Sequence, residues 1–277
     1  MSAEIVLYKG KNSKQIRHLQ EKIGDCPGLT ITSELEKIGS TTDLVIAHGG
    51  DGTVQTVASH LAADGLQTRM LISPGGRNNA LWRALVDEKA GISLTNSTAE
   101  ELAESVYLDF YPGEISERDI IFTNDLGIGT ISDLARLNKM LGNFPLHRQV
   151  KALINWMSYS LRGHDYPSFV FQQIGVSSYY GTRKVSDQSL FDENLTRLTL
   201  EANSKLEAVM KLFWTYFCLG TGLTALAPWK SEKNGSFELE QDIKGLMISG
   251  NTYDSRLSAG AIFKRSQDLI PVLALVK

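Results

Sequence analysis

Ile46-Ala47-His48-Gly49-Gly50-Asp51-Gly52-Thr53-Val54 joins an apolar run to a helical pattern through three glycines in four positions. Upstream, residues 43–47 read as a buried strand. Downstream, residues 53–63 read as a helix with Val54, Val57, Ala58 and Leu61 on one face. Glycines at such a joint let the backbone approach a ligand closely. The helix that follows aims unpaired N–H groups and the positive end of its dipole at the loop, so phosphate is the natural guest. Asp51 does not suit a simple phosphate cradle, because its charge repels that guest. It fits if it holds Mg²⁺ or polarises a hydroxyl. The plainer alternative is a tight strand-to-helix turn with Asp51 as a helix cap.

A second glycine loop, Pro74-Gly75-Gly76-Arg77-Asn78-Asn79, sits between a strand at 69–72 and a helix from about 79 to 86. An opening strand at 4–8 precedes a helix that Ser13 would cap, with Ile16, Leu19 and Ile23 at helical spacing. Strand, turn and helix thus repeat three times, which predicts right-handed βαβ units and a mostly parallel sheet. Both glycine loops then open on the carboxyl edge of the sheet, where such folds bind ligands. Arg77 could pair with phosphate oxygens and Asn79 could contact a base or ribose. As a solvated turn residue, Arg77 would do neither.

Near Tyr107 the rhythm changes. Strand-like runs at 106–110, 119–123, 168–173, 195–201, 236–240, 246–248 and 269–276 are interrupted by helical patterns at 131–141 and 150–161. Successive strands separated by turn residues predict an antiparallel, sandwich-like second domain. The expected boundary lies between Asp87 and Tyr111, dividing a nucleotide-binding α/β domain (1–108) from a β-rich domain (109–268). The apolar segment 205–218 reads either as a core helix or as one wall of a lipid-facing groove.

Composition removes several classes of function. The 277 residues are 42% hydrophobic, enough for a sizeable core, and 28 basic against 31 acidic residues give a net charge of -3. No basic excess points to nucleic acid. Cys26 and Cys218 stand far apart, so neither a disulfide framework nor a zinc site is expected, and a reducing cytosol is the simplest compartment. The amino terminus lacks the charge pattern of a secretory signal. The apolar stretch 209–226 is broken by Lys211, Gly220 and Gly222, so any membrane contact would be peripheral. The five histidines show no metal-ligand spacing, and most of them read as surface or capping residues. No Walker A sequence and no Gly-x-Ser-x-Gly elbow occurs.

The segment from Gly49 to Leu61, followed by that from Pro74 to Arg83, resembles the diacylglycerol kinase catalytic family, which includes bacterial lipid kinases and sphingosine kinases. NAD kinases share the Gly-Gly-Asp-Gly-Thr loop more distantly. The resemblance extends through Asn124-Asp125-Leu126-Gly127-Ile128-Gly129. It implies a final strand, within 269–277, that packs back on the first domain, and a kinase that transfers phosphate from ATP, with Mg²⁺, to the hydroxyl of a lipid or lipid-like alcohol. NAD kinase activity is the more distant alternative, because the segment from Pro74 to Arg83 matches lipid kinases better. Gly49, Gly50, Gly52 and Thr53 would contact the phosphates, Asp51 would take the catalytic position, and Gly76, Arg77 and Asn79 would line the nucleotide side. Asp192, in Asp192-Glu193-Asn194-Leu195, would be the candidate metal ligand, with Asp187 a weaker one; as an ordinary turn residue Asp192 would hold nothing. The expected partners are ATP and the lipid acceptor, with peripheral membrane contact and a homodimer both compatible.

The sequence also departs from the family pattern. Val54-Gln55-Thr56 stands where the family has an apolar residue, Asn and Glu. Arg77 replaces a Thr and Ala80 an Asp in the second loop. Ser249-Gly250-Asn251 stands where many members have Asp-Gly-Glu. Serine is no base near neutral pH, and asparagine brings no charge to a cation. Either Asp51 alone organises the hydroxyl, or a carboxylate such as Asp254 substitutes, or the chain is a nucleotide- or lipid-binding protein without transfer activity.

Overall fold

The computed structural model describes residues 3–10, 19, 28–76, 78–93, 99–116, 118, 120–129, 154–155, 168–180, 182–249 and 251–276. The first strands are β1 (Ile5–Lys9), β2 (Leu29–Thr32), β3 (Leu44–Gly49), β4 (Arg69–Pro74), β5 (Gly91–Ser93) and β6 (Leu108–Phe110). Between them lie the helices α1 (Asp51–Ala63), α2 (Ala80–Asp87) and α3 (Ala99–Glu104). Then come β7 (Gly113–Ile115), β8 (Ile120–Phe122), β9 (Asp125–Gly129), β10 (Ser168–Gly175), β11 (Tyr179–Tyr180), β12 (Arg183–Lys184) and β13 (Leu195–Ala202). Helix α4 (Lys205–Thr221) leads to β14 (Lys230–Asn234), β15 (Ser236–Glu238), β16 (Ile243–Ile248), β17 (Asn251–Leu257), β18 (Ile262–Arg265) and β19 (Ile270–Val276).

The first sheet is the parallel one that the repeated pattern predicts. Its order is β2-β1-β3-β4-β19-β5, with β6 antiparallel on β19. Every residue of β3 is buried, as expected of a strand covered on both faces. Helix α1 turns Val54, Val57, Ala58 and Leu61 inward. The chain runs outward from β1 to β2 and then returns to β3 on the other side. The carboxyl ends of β1 and β3 therefore meet at a topological switch point, where open α/β sheets hold ligands. Strand β19 inserts between β4 and β5, pairing Val272 with Met70 and Ala274 with Gly91.

A six-stranded antiparallel sheet, β14-β13-β10-β9-β16-β17, and a four-stranded one, β15-β18-β7-β8, make up most of the rest. One apolar cluster joins the parallel sheet to the antiparallel ones, from Leu7, Ile46 and Leu71 to Phe122, Leu126 and Leu246. A smaller cluster places α4 on the six-stranded sheet through Val170, Phe171, Leu200, Ala208 and Leu212. Helix α4 buries one face and exposes the other. Ala208, Leu212, Thr215 and Cys218 are buried, while Leu206, Met210, Phe213, Trp214 and Phe217 are exposed, Leu206 at 74%.

Several elements escaped the sequence. Strand β14 is Lys-Ser-Glu-Lys-Asn and exposed throughout, so no apolar alternation marks it. Strands β2, β7, β17 and β18 and helix α3 are short or polar. The helices expected at 131–141 and 150–161, and all but Leu19 of the one expected after Ser13, lie outside the described residues, apart from Ile154 and Asn155, which are helical.

Candidate functional site

The two glycine loops are locked against each other. The Gly75 N–H donates to Gly49 O at 2.8 Å, and the Gly10 N–H, at the end of β1, donates to His48 O at 3.1 Å. A Cβ on Gly76 would run into the Gly50 Cα, and one on Gly10 or Gly49 into the Thr53 hydroxyl. Three chain ends thus converge with no room for side chains, and the Thr53 side chain is wedged between Gly10 and Gly49. This leaves a backbone-lined cradle in front of α1. Gly10 belongs to it and was missed, because a lone glycine in a polar turn carries no pattern.

His48 is not the surface or capping residue its sequence suggested. It is buried at the end of β3, with Nδ1 2.9 Å from the Ser73 hydroxyl and its ring 3.0 Å from where a Gly75 Cβ would stand. It ties β3 to β4 beneath the second loop.

Asp51 does not cap its own helix. Gly50 occupies the cap of α1, and Asp51 lies in the first turn. Its Oδ1 reaches across to accept the Leu81 N–H at 3.3 Å, in the first turn of α2. Helix α2 needs this help because its own cap residue, Asn79, is left-handed at φ 52° and makes no side-chain cap. The Asn79 side chain closes the loop, accepting from Gly76 N and donating to Gly76 O, each at 3.1 Å. Burial pushes Asp51 up to about 6, while the Leu81 and Ala80 amides, its own amide and the Arg83 charge oppose the rise. Arg77 lies outside the described residues.

A second group of side chains faces this half from the antiparallel sheet. Gln55 of α1 accepts from Thr123 N at 2.8 Å, from the Thr123 hydroxyl at 3.1 Å and from the Ser249 hydroxyl at 3.0 Å. Its amide donates to Ile121 O at 2.7 Å. Asp125 opens β9 almost wholly buried, with Oδ1 accepting from Asn124 Nδ2 at 2.6 Å and Oδ2 from Gln173 Nε2 at 3.1 Å. Burial, and the charge of Asp51 nearby, push Asp125 up to about 7 against those two hydrogen bonds. Tyr180 is raised by burial and then by the Asp125 charge. Sequence reasoning used Asn124-Asp125 only as a family mark and missed the carboxylate. Ser249 is buried at φ 45°, enclosed by Gln55, Thr123 and the Asn124 N–H. The side chains of Asn251 and Asp254 lie outside the described residues.

Asp192 is not brought to this cluster by any contact in the described residues. It is exposed in a turn, accepting from Ser189 N at 3.2 Å, with the Arg265 charge near it. Asp187 is exposed as well. One solvated carboxylate beside a guanidinium does not suit a divalent cation. Among the described residues no three acidic, histidine or cysteine side chains gather as a metal site.

Residues 8–108 match the family model described as the diacylglycerol kinase catalytic domain. Among solved structures, a candidate diacylglycerol kinase from Bacillus anthracis superposes with a TM-score of 0.65 at 17% identity, covering 98% of this chain and 96% of the other. A second structure from that organism, described as a diacylglycerol kinase, gives 0.61 at 17% identity, covering 98% and 97%. At such identity the likeness is one of fold, and it spans nearly the whole chain. No curated protein matches the sequence.

Proposed function

We propose that the chain, whose residues 8–108 match the diacylglycerol kinase catalytic domain, is an ATP-dependent kinase of a lipid or lipid-like alcohol. The observation that carries this reading is the backbone convergence of Gly10, Gly49, Gly50 and Gly76 at the switch point, with Asp51 in the first turn of α1 and held by the Leu81 N–H. On this reading residues 1–108 with 269–277 form the nucleotide unit, and 109–268 the unit that faces it. The first-turn amides of α1 and its dipole hold the phosphates along Gly49, Gly50, Gly52 and Thr53. Asp51, anchored on α2, orients the acceptor rather than the nucleotide. Gly76 and Asn79 shape the second wall, and Arg77 would complete it. ATP supplies the transferable phosphoryl group. Mg²⁺ would be carried by the phosphates themselves, since the ion keeps several waters and does not need a protein cage.

The exposed face of α4 is where we place contact with the lipid phase. No charged residue occurs between Lys211 and Lys230, and Phe213, Trp214, Tyr216, Phe217, Leu223 and Leu226 are all exposed. Aromatic rings with polar tips suit a membrane interface. No helix among the described residues is long and apolar enough to cross a bilayer.

A second reading, a nucleotide or lipid binder without transfer, is favoured by Ser249, which stands buried in a hydrogen-bond network where a carboxylate was expected. Radiolabelled ATP with mixed membrane lipids separates the two. The kinase reading expects labelled lipid from the wild type and at least a hundredfold less from Asp51→Ala, with ATP binding retained by calorimetry. ATP binding without labelled lipid across a broad panel would leave the binder reading in its place.

A further inference from the structure

We infer that Asp125 is the proton acceptor of the proposed transfer, standing one strand away from the position that Ser249 occupies without a charge. The inference rests on the kinase reading and names a residue that reading lacks. Ser249 N donates to Asp125 O at 2.8 Å, so the two residues adjoin across the β9–β16 pair. The hydroxyl of Ser249 is committed to Gln55 and to the Asn124 N–H, and serine is no base near neutral pH. Asp51 is committed too, with one oxygen on the first turn of α2 and the Arg83 charge beside it.

Asp125 is different. A carboxylate offers about four lone-pair sites. Asn124 and Gln173 occupy one on each oxygen, which fixes the group and, among the described residues, leaves two. No lysine or arginine among the described residues comes within ion-pairing distance of it. The charged and titratable groups around it are Asp51 from α1 and Tyr180 from β11; Gln173 from β10 and Ser249 after β16 are neutral. A buried carboxylate held by two amides and opposed by a second carboxylate is poised to take a proton. Its titration point near 7 matches what a general base needs at neutral pH.

The step balances simply. The acceptor's O–H bond breaks and its proton goes to Asp125. The freed oxygen forms the new bond to the γ-phosphorus as the bond from γ-phosphorus to the β-bridging oxygen breaks. ADP leaves with that electron pair, and the proton passes from Asp125 to water after product leaves.

The test measures labelled phosphate transfer from ATP to mixed membrane lipids between pH 5 and 9, with ATP calorimetry and thermal melts on the same samples. The wild type should show a rate that rises about tenfold per pH unit and levels near pH 7. Asp125→Asn should lose about a hundredfold or more, with ATP affinity within twofold of the wild type. Gln173→Leu removes an N–H that favours the charged form, so its acid limb should move to higher pH, an effect a merely structural role would not produce. A folded, ATP-binding Asp125→Asn that transfers within threefold of the wild type overturns the inference alone. So does a Gln173→Leu limb that does not move, and this decides the matter if Asp125→Asn fails to fold. A wild type that labels no lipid removes the kinase reading and this step with it.

Discussion

The two halves of the candidate site are made differently. The half on the parallel sheet is a backbone construction, in which Gly10, Gly49, Gly50 and Gly76 allow three chain segments to touch. The half on the antiparallel sheet is a side-chain construction, in which Gln55, Thr123, Asn124, Asp125, Gln173 and Ser249 exchange hydrogen bonds, all but the Asn124–Asp125 one across long separations. Backbone sites demand glycines at fixed local spacing. Side-chain sites demand only that a few polar residues arrive together from strands that are distant in sequence. The first kind tolerates almost no added atom, and the second tolerates substitution wherever another donor or acceptor can take over.

That difference sets the expected order of effects. The largest is Gly76→Ala, whose Cβ would meet the Gly50 backbone. Because no flexible side chain can yield there, the loops must part, and a cost of about 3 kcal/mol is expected. Calorimetry should show ATP affinity falling at least a hundredfold, and an unchanged affinity would break the backbone account of the first half. Next comes Gln55→Leu, which strips the buried Thr123 N–H of its acceptor and Ile121 O of a donor. Urea unfolding should record a loss of about 2 kcal/mol. A neutral result would show that this residue does not join α1 to the antiparallel sheets.

The third prediction concerns pH. Asp51 and Asp125 both titrate higher in the folded protein than the ordinary carboxylate value of 3.8. Their folded state therefore binds protons more readily than the unfolded chain. The stability this gives is present below about pH 4 and is lost as pH rises through about 6 and 7. Glu207, held low beside Lys211 on α4, works in the opposite direction. A fall of up to about 5 kcal/mol between pH 4.5 and 7.5 is expected in urea titrations, and Asp125→Asn should remove the larger part of it. The smallest effect on stability belongs to the exposed face of α4. Phe213→Ser should change stability by no more than about 0.5 kcal/mol, while lowering the fraction that sediments with lipid vesicles several-fold. Unchanged sedimentation would detach α4 from the membrane.

The same contrast governs what the sequence revealed. Residues 46–54 announced β3, α1 and their joint, because a buried parallel strand is an apolar run and the turn that follows needs glycine. The second loop was legible on the same grounds, and the pairing of 269–276 with the first sheet followed from the family resemblance. Asp125 was not legible. Its meaning depends on Gln173, 48 positions away, and on Asp51 in another sheet's helix. The role of Gln55 was equally hidden, since its partner Ser249 lies 194 positions on. Asp51 was picked out, yet its contact with α2 was not, because that contact depends on Asn79 adopting a left-handed backbone.

The central claim is that ATP lies across both glycine loops at the carboxyl ends of β1, β3 and β4. Amide hydrogen exchange with and without ATP tests it most directly. The account predicts slower exchange in 49–54 and 74–81 together, with β14 unaffected. Protection confined to one loop, or absent from both while ATP is bound, would contradict it.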